Sequence, residues 1–325
     1  MKTAIISGVT GQDGAYLSKF LLSKGYRVVG LTRSYFQTNL SKLKYLDVVG
    51  DIEIQECDLT DLSQVIRIIS SVKPDEFYHL ASQSSVGLSF QQPIGTIHFN
   101  IISLLNILEA IKVVGASHLK IYQASSSEMY GHVNTLPIQE NTPMHPISPY
   151  GVSKASAHWI AVNYREAYNL KISCGILFNH ESYLRSNNFF IKKVLRESIL
   201  IREKKQEVLK VGNIDIKRDF GYAPKYVEAM WLILQEDTPN DYSICSGRSI
   251  KLRTIIEHIF SKLGISSDRL VVDKSLYRPT DIVDIYGDNS RAKSVLNWDY
   301  DMHFLDVIDL LLEEELNNFN KGIHA

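Results

Sequence analysis

The sequence predicts an α/β fold, a doubly wound parallel sheet with helices on both faces. Short runs of β-branched and aromatic residues alternate with segments whose apolar residues recur at helical spacing. A glycine-rich turn follows the first of these runs and opens the first helical segment. Strands that alternate with helices form mainly parallel sheets, because each connecting helix packs back onto the sheet. The first half of the chain is therefore predicted to be one layered domain.

Six strands and four helices are predicted in this half. The strands are Thr3–Ser7, Tyr26–Leu31, Ile52–Cys57, Glu76–Leu80, Leu119–Gln123 and Lys171–Phe178. The helices are Gln12–Ser23, Asp61–Val72, Ile97–Val114 and Pro149–Tyr168. Asp61 is expected to cap its helix at the N-terminus, and Lys73-Pro74 ends it.

The pattern is looser after Asn179 and predicts a smaller α+β lobe interleaved with the end of the sheet. A polar loop, 182–188, precedes a basic helix, 189–205, and a strand at 207–213. Residues 219–237 are expected to form a turn and a helix, and amphipathic helices follow at 252–263 and 303–318. We expect residues 1–178 and a returning segment of about 212–247 to form the larger domain. Residues 179–211 and 248–325 would form the lobe.

Composition excludes several classes of protein. A net charge of −1 gives no bulk attraction to nucleic acid or to an anionic membrane. No run approaches the ~18 uninterrupted apolar residues of a membrane span, and the first residues are typical of a strand rather than of a signal peptide. Cys57, Cys174 and Cys245 are widely separated, so neither disulfides nor a metal site is expected, which fits a cytoplasmic protein.

The glycine-rich turn is the first functional motif. Gly8, Gly11 and Gly14 follow the first strand with the spacing G-x-x-G-x-x-G, and Gln12 and Asp13 lie between them. Glycines at this place let the backbone approach a pyrophosphate, and the following helix offers free N–H groups and the positive end of its dipole. The turn therefore predicts a dinucleotide cofactor.

The end of the second strand indicates which dinucleotide is bound. Arg33 stands where NAD-specific proteins usually carry an acid, and no Asp or Glu occurs between Gly30 and Tyr45. An arginine suits the 2′-phosphate of NADP, so NADP is favoured; the alternative is that Arg33 is an ordinary surface cation. Further positions expected along the cofactor are Asp58 and Leu59, beside the adenine, and Leu80, Ala81, Ser82 and Ser84 after the fourth strand.

Tyr150 and Lys154 form the strongest chemical signal. A Tyr and a Lys four residues apart on a helix face the same way, and an ammonium lowers the pKa of a neighbouring phenol. Tyr150 could then act as a base near neutral pH. Ser126 follows the fifth strand, where its hydroxyl could hydrogen-bond the oxygen whose proton Tyr150 removes.

With these motifs the chain resembles the extended short-chain dehydrogenase/reductases, which have a Rossmann-type cofactor domain, and within them the GDP-mannose 4,6-dehydratase family. The stretches that carry the likeness are GVTGQDGAYL, YQASSSEMYG, SPYGVSKASAHWIAVNYREAYNL, GILFNHES, VGNIDIKRDFGYAPKYVEAMW and YRPTDIVD. The resemblance implies that the catalytic residues are Ser126, Glu128, Tyr150 and Lys154. It implies contacts to the GDP-sugar from Asn179, Lys193, Arg218, Arg278 and Asp281, and cofactor contacts from His180 and Arg185.

The reaction implied by the resemblance converts GDP-mannose into GDP-4-keto-6-deoxymannose through an internal redox cycle on NADP. Tyr150 takes the proton of the 4-hydroxyl while carbon 4 gives up hydride. Glu128 removes the proton on carbon 5, and water leaves from carbon 6. The hydride returns to carbon 6, so the cofactor ends unchanged and should bind tightly.

Some positions depart from the family pattern and leave alternatives open. Arg33–Gln37 replaces a paired-arginine, serine-rich loop, and Tyr183-Leu184 replaces a proline and an arginine. The alternatives are a GDP-mannoheptose or other nucleotide-sugar 4,6-dehydratase, an epimerase or decarboxylase of the same superfamily, and a non-catalytic cofactor-sensing scaffold. Helices 97–114 and 149–168 are apolar on more than one face, which predicts a homodimer, with a homotetramer as the further alternative.

Overall fold

A computed structural model describes residues 1–34 and 38–322 of the chain. The strands are β1 (Thr3–Ser7), β2 (Arg27–Thr32), β3 (Ile52–Glu56), β4 (Glu76–His79), β5 (Lys120–Ser126), β6 (Ile172–Leu177), β7 (Asn179–Glu181), β8 (Leu209–Val211), β9 (Lys217–Tyr222), β10 (Asp241–Ile244), β11 (Ser249–Lys251) and β12 (Leu270–Val272). The helices are α1 (Gln12–Ser23), α2 (Ser41–Tyr45), α3 (Leu62–Val72), α4 (Val86–Gln91), α5 (Pro93–Val114), α6 (Pro149–Tyr168), α7 (Phe190–Arg202), α8 (Ala223–Gln235), α9 (Leu252–Leu263), α10 (Ser290–Leu296) and α11 (Phe304–Asn320).

The central sheet is parallel throughout. In the described chain it has seven strands in the order β10-β6-β5-β4-β1-β2-β3. The order reverses between β1 and β4, and such a switch point opens a crevice at the carboxyl ends of the strands. The predicted doubly wound fold is confirmed.

Two helical layers cover the sheet because its strands alternate their side chains between the faces. Ile5 on β1 packs with apolar residues of α3, α5 and α6, whereas its neighbours Ala4 and Ile6 pack with α1 and α8. The Asp61 carboxylate accepts hydrogen bonds from the amides of Ser63 and Gln64, which is the predicted N-cap of α3.

Helix α5 is long and apolar enough to cross a membrane, judged by length and composition alone. The sequence analysis looked for uninterrupted apolar runs and did not identify this helix, because Thr96, Asn100 and Ser103 interrupt its apolar residues. In the fold these three polar side chains are buried, as are Leu104 and Ile107. The helix packs between α3 and α6 in one layer of the domain.

The smaller lobe is built on a three-stranded sheet in the order β11-β9-β7 and a parallel pair, β8 and β12. Its core lies between α7, α9 and α11. Strand β7 begins two residues after β6 ends, so the chain passes directly from the central sheet into the lobe. The sites described below lie at this junction.

Candidate active site

The glycine-rich turn forms a tight cradle in front of α1. Gly8 has a φ of 73°, a conformation that favours glycine, and its carbonyl accepts a hydrogen bond from the Gly11 amide (N···O 2.9 Å). A Cβ on Gly8 would lie 2.9 Å from the Ala81 amide nitrogen. The turn, the helix N-terminus and the end of β4 line one cleft of about 570 Å³. The residues present therefore fit a pyrophosphate bound against backbone N–H groups.

The side chains of Gln12 and Asp13 bind the lobe strand β7. The Gln12 amide donates to the His180 carbonyl (3.1 Å), and Ser182 donates to the Gln12 side chain (2.8 Å). The Asp13 carboxylate lies 2.8 Å from Nε2 of His180. Burial alone would raise the pKa of Asp13, but the charge and hydrogen bond of His180, together with Gln12 and Arg185, lower it to about 2. Both side chains thus join the cofactor turn to the lobe.

A second cavity, of about 850 Å³, continues the cleft toward the end of β2. Gly8 and Ala81 line both cavities, so together they form one groove. The cofactor positions that the sequence predicted at this end, Arg33, Asp58 and Leu59, line the second cavity. Leu80 and Ser84 line the first cavity. The remainder of the predicted loop, Tyr35, Phe36 and Gln37, lies outside the described residues.

The four predicted catalytic residues converge on the first cavity. Ser126 ends β5, Glu128 lies in the short 3-10 helix that follows directly, and Tyr150 and Lys154 lie on successive turns of α6. Ser148 begins α6 by accepting a hydrogen bond from the Gly151 amide (3.0 Å), which places Tyr150 in the first turn. Because β5 and α6 are adjacent, the two elements bring hydroxyl, phenol, carboxylate and ammonium to one wall.

The protonation of the Tyr-Lys pair differs from the expectation. Burial raises the pKa of Tyr150 to about 12, and a hydrogen bond with Ser126 only partly opposes this. Burial also lowers the pKa of Lys154 to about 8. The Lys154 ammonium lies 5.9 Å from the centre of the Tyr150 ring and donates to the Ala124 carbonyl (3.0 Å). The Lys154 ammonium is thus bound to the Ala124 carbonyl, and the activation of Tyr150 by Lys154 stays a prediction.

The Glu128 carboxylate is a second ionisable group on this wall. Its side chain is half-buried, and its amide donates to the Ser126 hydroxyl (3.3 Å). This bond keeps the start of the turn after β5 close to Ser126. A carboxylate beside a phenol gives the cleft two separate groups that can each move a proton.

Three of the predicted sugar-nucleotide residues line the cleft, namely Asn179, Arg218 and Arg278. The Asn179 amide donates to the Asp219 carbonyl (3.2 Å), which pairs β7 with β9. Arg218 is buried and donates to the Asp281 carboxylate (2.6 Å), whereas Arg278 is 40% exposed. Two guanidinium groups at the lobe end of the groove give it a positive charge suited to phosphate.

Lys193 and Asp281 are not brought to the cleft wall formed by the described residues. The Lys193 ammonium donates to the Lys210 carbonyl (2.6 Å), because α7 packs beside β8 and its side chain reaches that strand. The Asp281 carboxylate is held between Arg218 and Arg278, at 2.6 and 3.8 Å. Asp281 therefore lies where it orients the two arginines, and its direct contact with a sugar nucleotide stays a prediction.

The two residues that differ from the family pattern after the H-E-S motif, Tyr183 and Leu184, are buried in the hydrophobic core. Tyr183 and Leu184 are 2% and 0% exposed and pack in the cluster beneath α1 and α8. Their neighbour Arg185 lines the cleft, where its guanidinium lies 3.7 Å from the centre of the Phe189 ring. His180 also lines it. The two substitutions therefore affect the packing beneath the cleft. Among the described residues, neither Tyr183 nor Leu184 lines the cleft.

One residue of the groove was missed by the sequence reasoning. Lys42 on α2 lines the second cavity together with Arg33. Burial lowers the pKa of Lys42, and its ammonium donates to the Ser186 hydroxyl (3.3 Å). No sequence motif identifies Lys42 as a groove residue. Helix α2 is short, and from the sequence Lys44 was an equally good candidate.

Solved structures place the fold in a definite class. The dTDP-glucose 4,6-dehydratase from Bacillus anthracis, solved with NAD, superposes with a TM-score of 0.84 at 19% identity, over 98% of this chain and 97% of that one. The RMD protein from Pseudomonas aeruginosa, solved with NADPH, gives 0.80 at 23% identity over 97% and 98%. At these identities the likeness shows the fold alone. It is the doubly wound, Rossmann-type fold that the sequence predicted.

The family follows from sequence. A sequence model of the family described as GDP-mannose 4,6 dehydratase matches residues 5–311. The GDP-mannose 4,6-dehydratase of Sinorhizobium fredii is 38% identical over 97% of this chain and 97% of its own length. The chain belongs to the GDP-mannose 4,6-dehydratase family, which confirms the resemblance and makes the protein a nucleotide-sugar 4,6-dehydratase.

Proposed function

We propose that this protein converts GDP-mannose into GDP-4-keto-6-deoxymannose. The observation that carries the proposal is the meeting of Ser126, Glu128, Tyr150 and Lys154 with a pyrophosphate cradle in one cleft. Elimination of water needs a second proton-transfer group besides the tyrosine, and Glu128 supplies it. The family favours this reaction over the epimerase and decarboxylase alternatives.

The turn of Gly8, Gly11 and Gly14 would hold a nicotinamide cofactor along the groove, and that cofactor would supply a reversible hydride acceptor for oxidation at carbon 4 and reduction at carbon 6. Tyr150 removes the proton of the 4-hydroxyl, and Ser126 holds the same oxygen by a hydrogen bond. Lys154 keeps the phenol anion stable once its ammonium turns from the Ala124 carbonyl toward Tyr150. Glu128 then takes the proton of carbon 5, which the new ketone has made acidic. Glu128 or Ser126 delivers a proton to the 6-hydroxyl, which leaves carbon 6 as water.

The function is tested with GDP-mannose and with the Glu128→Gln variant. The wild-type protein should form a 4-keto sugar, detected by its alkali-induced absorbance and by mass spectrometry. Loss of a general acid or base should lower the rate roughly 10²- to 10⁴-fold, while Glu313→Gln, on the exposed side of α11, should leave it unchanged. A panel of sugar nucleotides that includes a GDP-heptose is assayed in parallel. If GDP-mannose gives no 4-keto product and another sugar nucleotide is turned over, GDP-mannose is not the substrate.

The proposed cofactor is NADP. Arg33 and Lys42 both line the adenosine end of the groove, where their charges suit a 2′-phosphate. Arg33→Ala should weaken NADP binding at least tenfold and leave NAD binding within threefold, measured by calorimetry. Arg269→Ala, an exposed arginine of the lobe, is the control. Equal losses for the two cofactors would contradict the assignment of Arg33.

The proposed assembly is a homodimer through α5 and α6, in the cytoplasm. Large apolar side chains are exposed on these two helices, including Ile94 at 85% and Trp159 at 59%. A matching pair from a second copy would bury them. Light scattering at micromolar concentration should give a dimer mass or twice that mass; a monomer mass would contradict the proposal.

A further inference from the structure

The residue before Ser126 makes a buried hydrogen bond that the proposed mechanism does not use. The Ser125 hydroxyl lies 2.9 Å from Nδ1 of His158, and the two residues are 2% and 3% exposed. Ser125 belongs to β5 and His158 to α6. The bond therefore joins the strand that ends at the active-site serine to the helix that carries Tyr150.

His158 lies in line with the catalytic residues of its helix. Tyr150, Lys154 and His158 are spaced by four residues, so they lie above one another on one side of α6. Lys154 donates to the Ala124 carbonyl, and His158 binds the next residue of β5. Two successive turns of α6 are thus bonded to two successive residues of β5. The following residue, Ser126, is the one that must meet Tyr150.

The other edge of the His158 ring is fixed as well. Its Nε2 lies 3.8 Å from the Asp241 carboxylate, which Arg165 holds with two hydrogen bonds of 2.8 and 2.9 Å. Burial lowers the pKa of His158, which favours the neutral ring at neutral pH. In the tautomer with its proton on Nε2, the ring accepts a hydrogen bond from the Ser125 hydroxyl at Nδ1. The ring thus lies between the end of β5 and the ion pair that joins Arg165 of α6 to Asp241 of β10.

His158, Asp241 and the neighbouring Cys174 place possible metal-ligand atoms within 4.8 Å of one another. However, Arg165 already occupies both oxygens of Asp241. Cys174 is fully buried, and burial raises the pKa of its thiol, so it is not a thiolate. The charges of the cluster are balanced by the protein itself, which favours a positioning role over a metal site.

We propose that His158 is a positioning residue for the dehydration reaction, acting through Ser125 to fix the end of β5 and hence the approach of Ser126 to Tyr150. The proposal rests on the proposed function. Misplacing a reacting group by about 1 Å costs on the order of 100-fold in rate. Loss of the His158 contacts should therefore act on turnover, whereas the groups that bind the cofactor and the sugar nucleotide remain in place.

The test compares His158→Leu, His158→Asn and Ser125→Ala with the wild type. His158→Leu should lower kcat at least tenfold with KM for GDP-mannose and Kd for the cofactor within threefold. His158→Asn keeps an acceptor near the place of Nδ1 and should recover most of the lost kcat. The double variant Ser125→Ala/His158→Leu should be no slower than His158→Leu alone. His118→Leu, an exposed histidine, is the matched control.

The outcomes separate this proposal from the proposed function. Wild-type turnover of GDP-mannose decides the function, and the variants are then compared with that rate. An unchanged kcat in folded His158→Leu, or an additive loss in the double variant, would overturn the positioning role. If His158→Leu does not fold, Ser125→Ala and His158→Asn decide the question. A stoichiometric metal in purified wild-type protein, whose removal by a chelator abolishes activity, would also overturn it.

Discussion

Replacement of Gly14 by alanine tests the most tightly built part of the groove. A Cβ at this position would lie 2.3 Å from the Gly8 carbonyl oxygen and 2.7 Å from the Val9 Cα. Both atoms belong to the backbone of the cofactor turn and cannot rotate away. Ordinary contact begins at 3.4 Å, so α1 and the turn must separate by about 1 Å.

The cost of this separation follows from the bonds it strains. The Gly11 amide donates to the Gly8 carbonyl (2.9 Å), and the Ala15 amide donates to the Gly11 carbonyl (3.0 Å). Losing both costs about 1 kcal/mol each, and overpacking adds ~1–3 kcal/mol. We expect the free energy of unfolding to fall by ~3–5 kcal/mol. Cofactor affinity should fall roughly 100-fold, since the N–H groups of the turn are displaced.

The measurements are urea unfolding followed by circular dichroism and cofactor titration by calorimetry. Gly50→Ala is the control, because a Cβ on Gly50 would have no atom within 4 Å and its φ is not positive. The control should change neither quantity. Cofactor affinity within threefold of wild type in Gly14→Ala would refute the assignment of the cradle to the pyrophosphate, whatever the loss of stability.

Two further predictions concern buried charges. Asp13→Asn should remove about 2 kcal/mol of stability, and the loss should be largest between about pH 4 and 6.5. Because the pKa of Asp13 is lowered, the stabilisation is lost as pH falls from about 4 to 2; because the pKa of His180 is raised, the stabilisation is also lost as pH rises from about 6.5 through the raised pKa. A pH-independent difference in urea unfolding would contradict this. Lys192 is buried against Glu315, so Lys192→Ala should cost ~3–5 kcal/mol by leaving a buried carboxylate, whereas Lys192→Met/Glu315→Leu should cost less. Thermal melting of the three proteins checks the order, and equal losses would contradict it.

The sequence predicted the elements whose pattern is local. Helices α1, α6 and α9 have the predicted bounds, because apolar periodicity, caps and glycines agree there. Strand β10, by contrast, was not predicted. Its sequence DYSI carries little β pattern, and it becomes a strand because β6 offers an unpaired parallel edge. Strands β7 and β11 have three residues each and pair with β9, so the local sequence pattern did not predict them either.

At the site, motif residues were easier to predict than the directions of long side chains. Ser126 and Tyr150 are placed by the ends of regular elements and reach the cleft wall together. Lys193 has four rotatable bonds, and its direction depends on the β8 carbonyl that tertiary packing brings close. Lys42 belongs to the same class of residue, since only the folded chain brings it beside Arg33.

The hydrogen bonds from the cofactor turn to β7 have a consequence for the order of events in turnover. Strand β7 pairs with β9, which carries Arg218, so these hydrogen bonds connect the cofactor turn to the strand of a predicted sugar-nucleotide residue. We expect a ligand that orders the turn to order the sugar-nucleotide end as well, and linkage makes that effect mutual. A cofactor that ends each reaction cycle in its starting oxidation state can stay bound, and a bound cofactor would keep the lobe ordered. Each new sugar nucleotide then meets a preformed site and need not organise one.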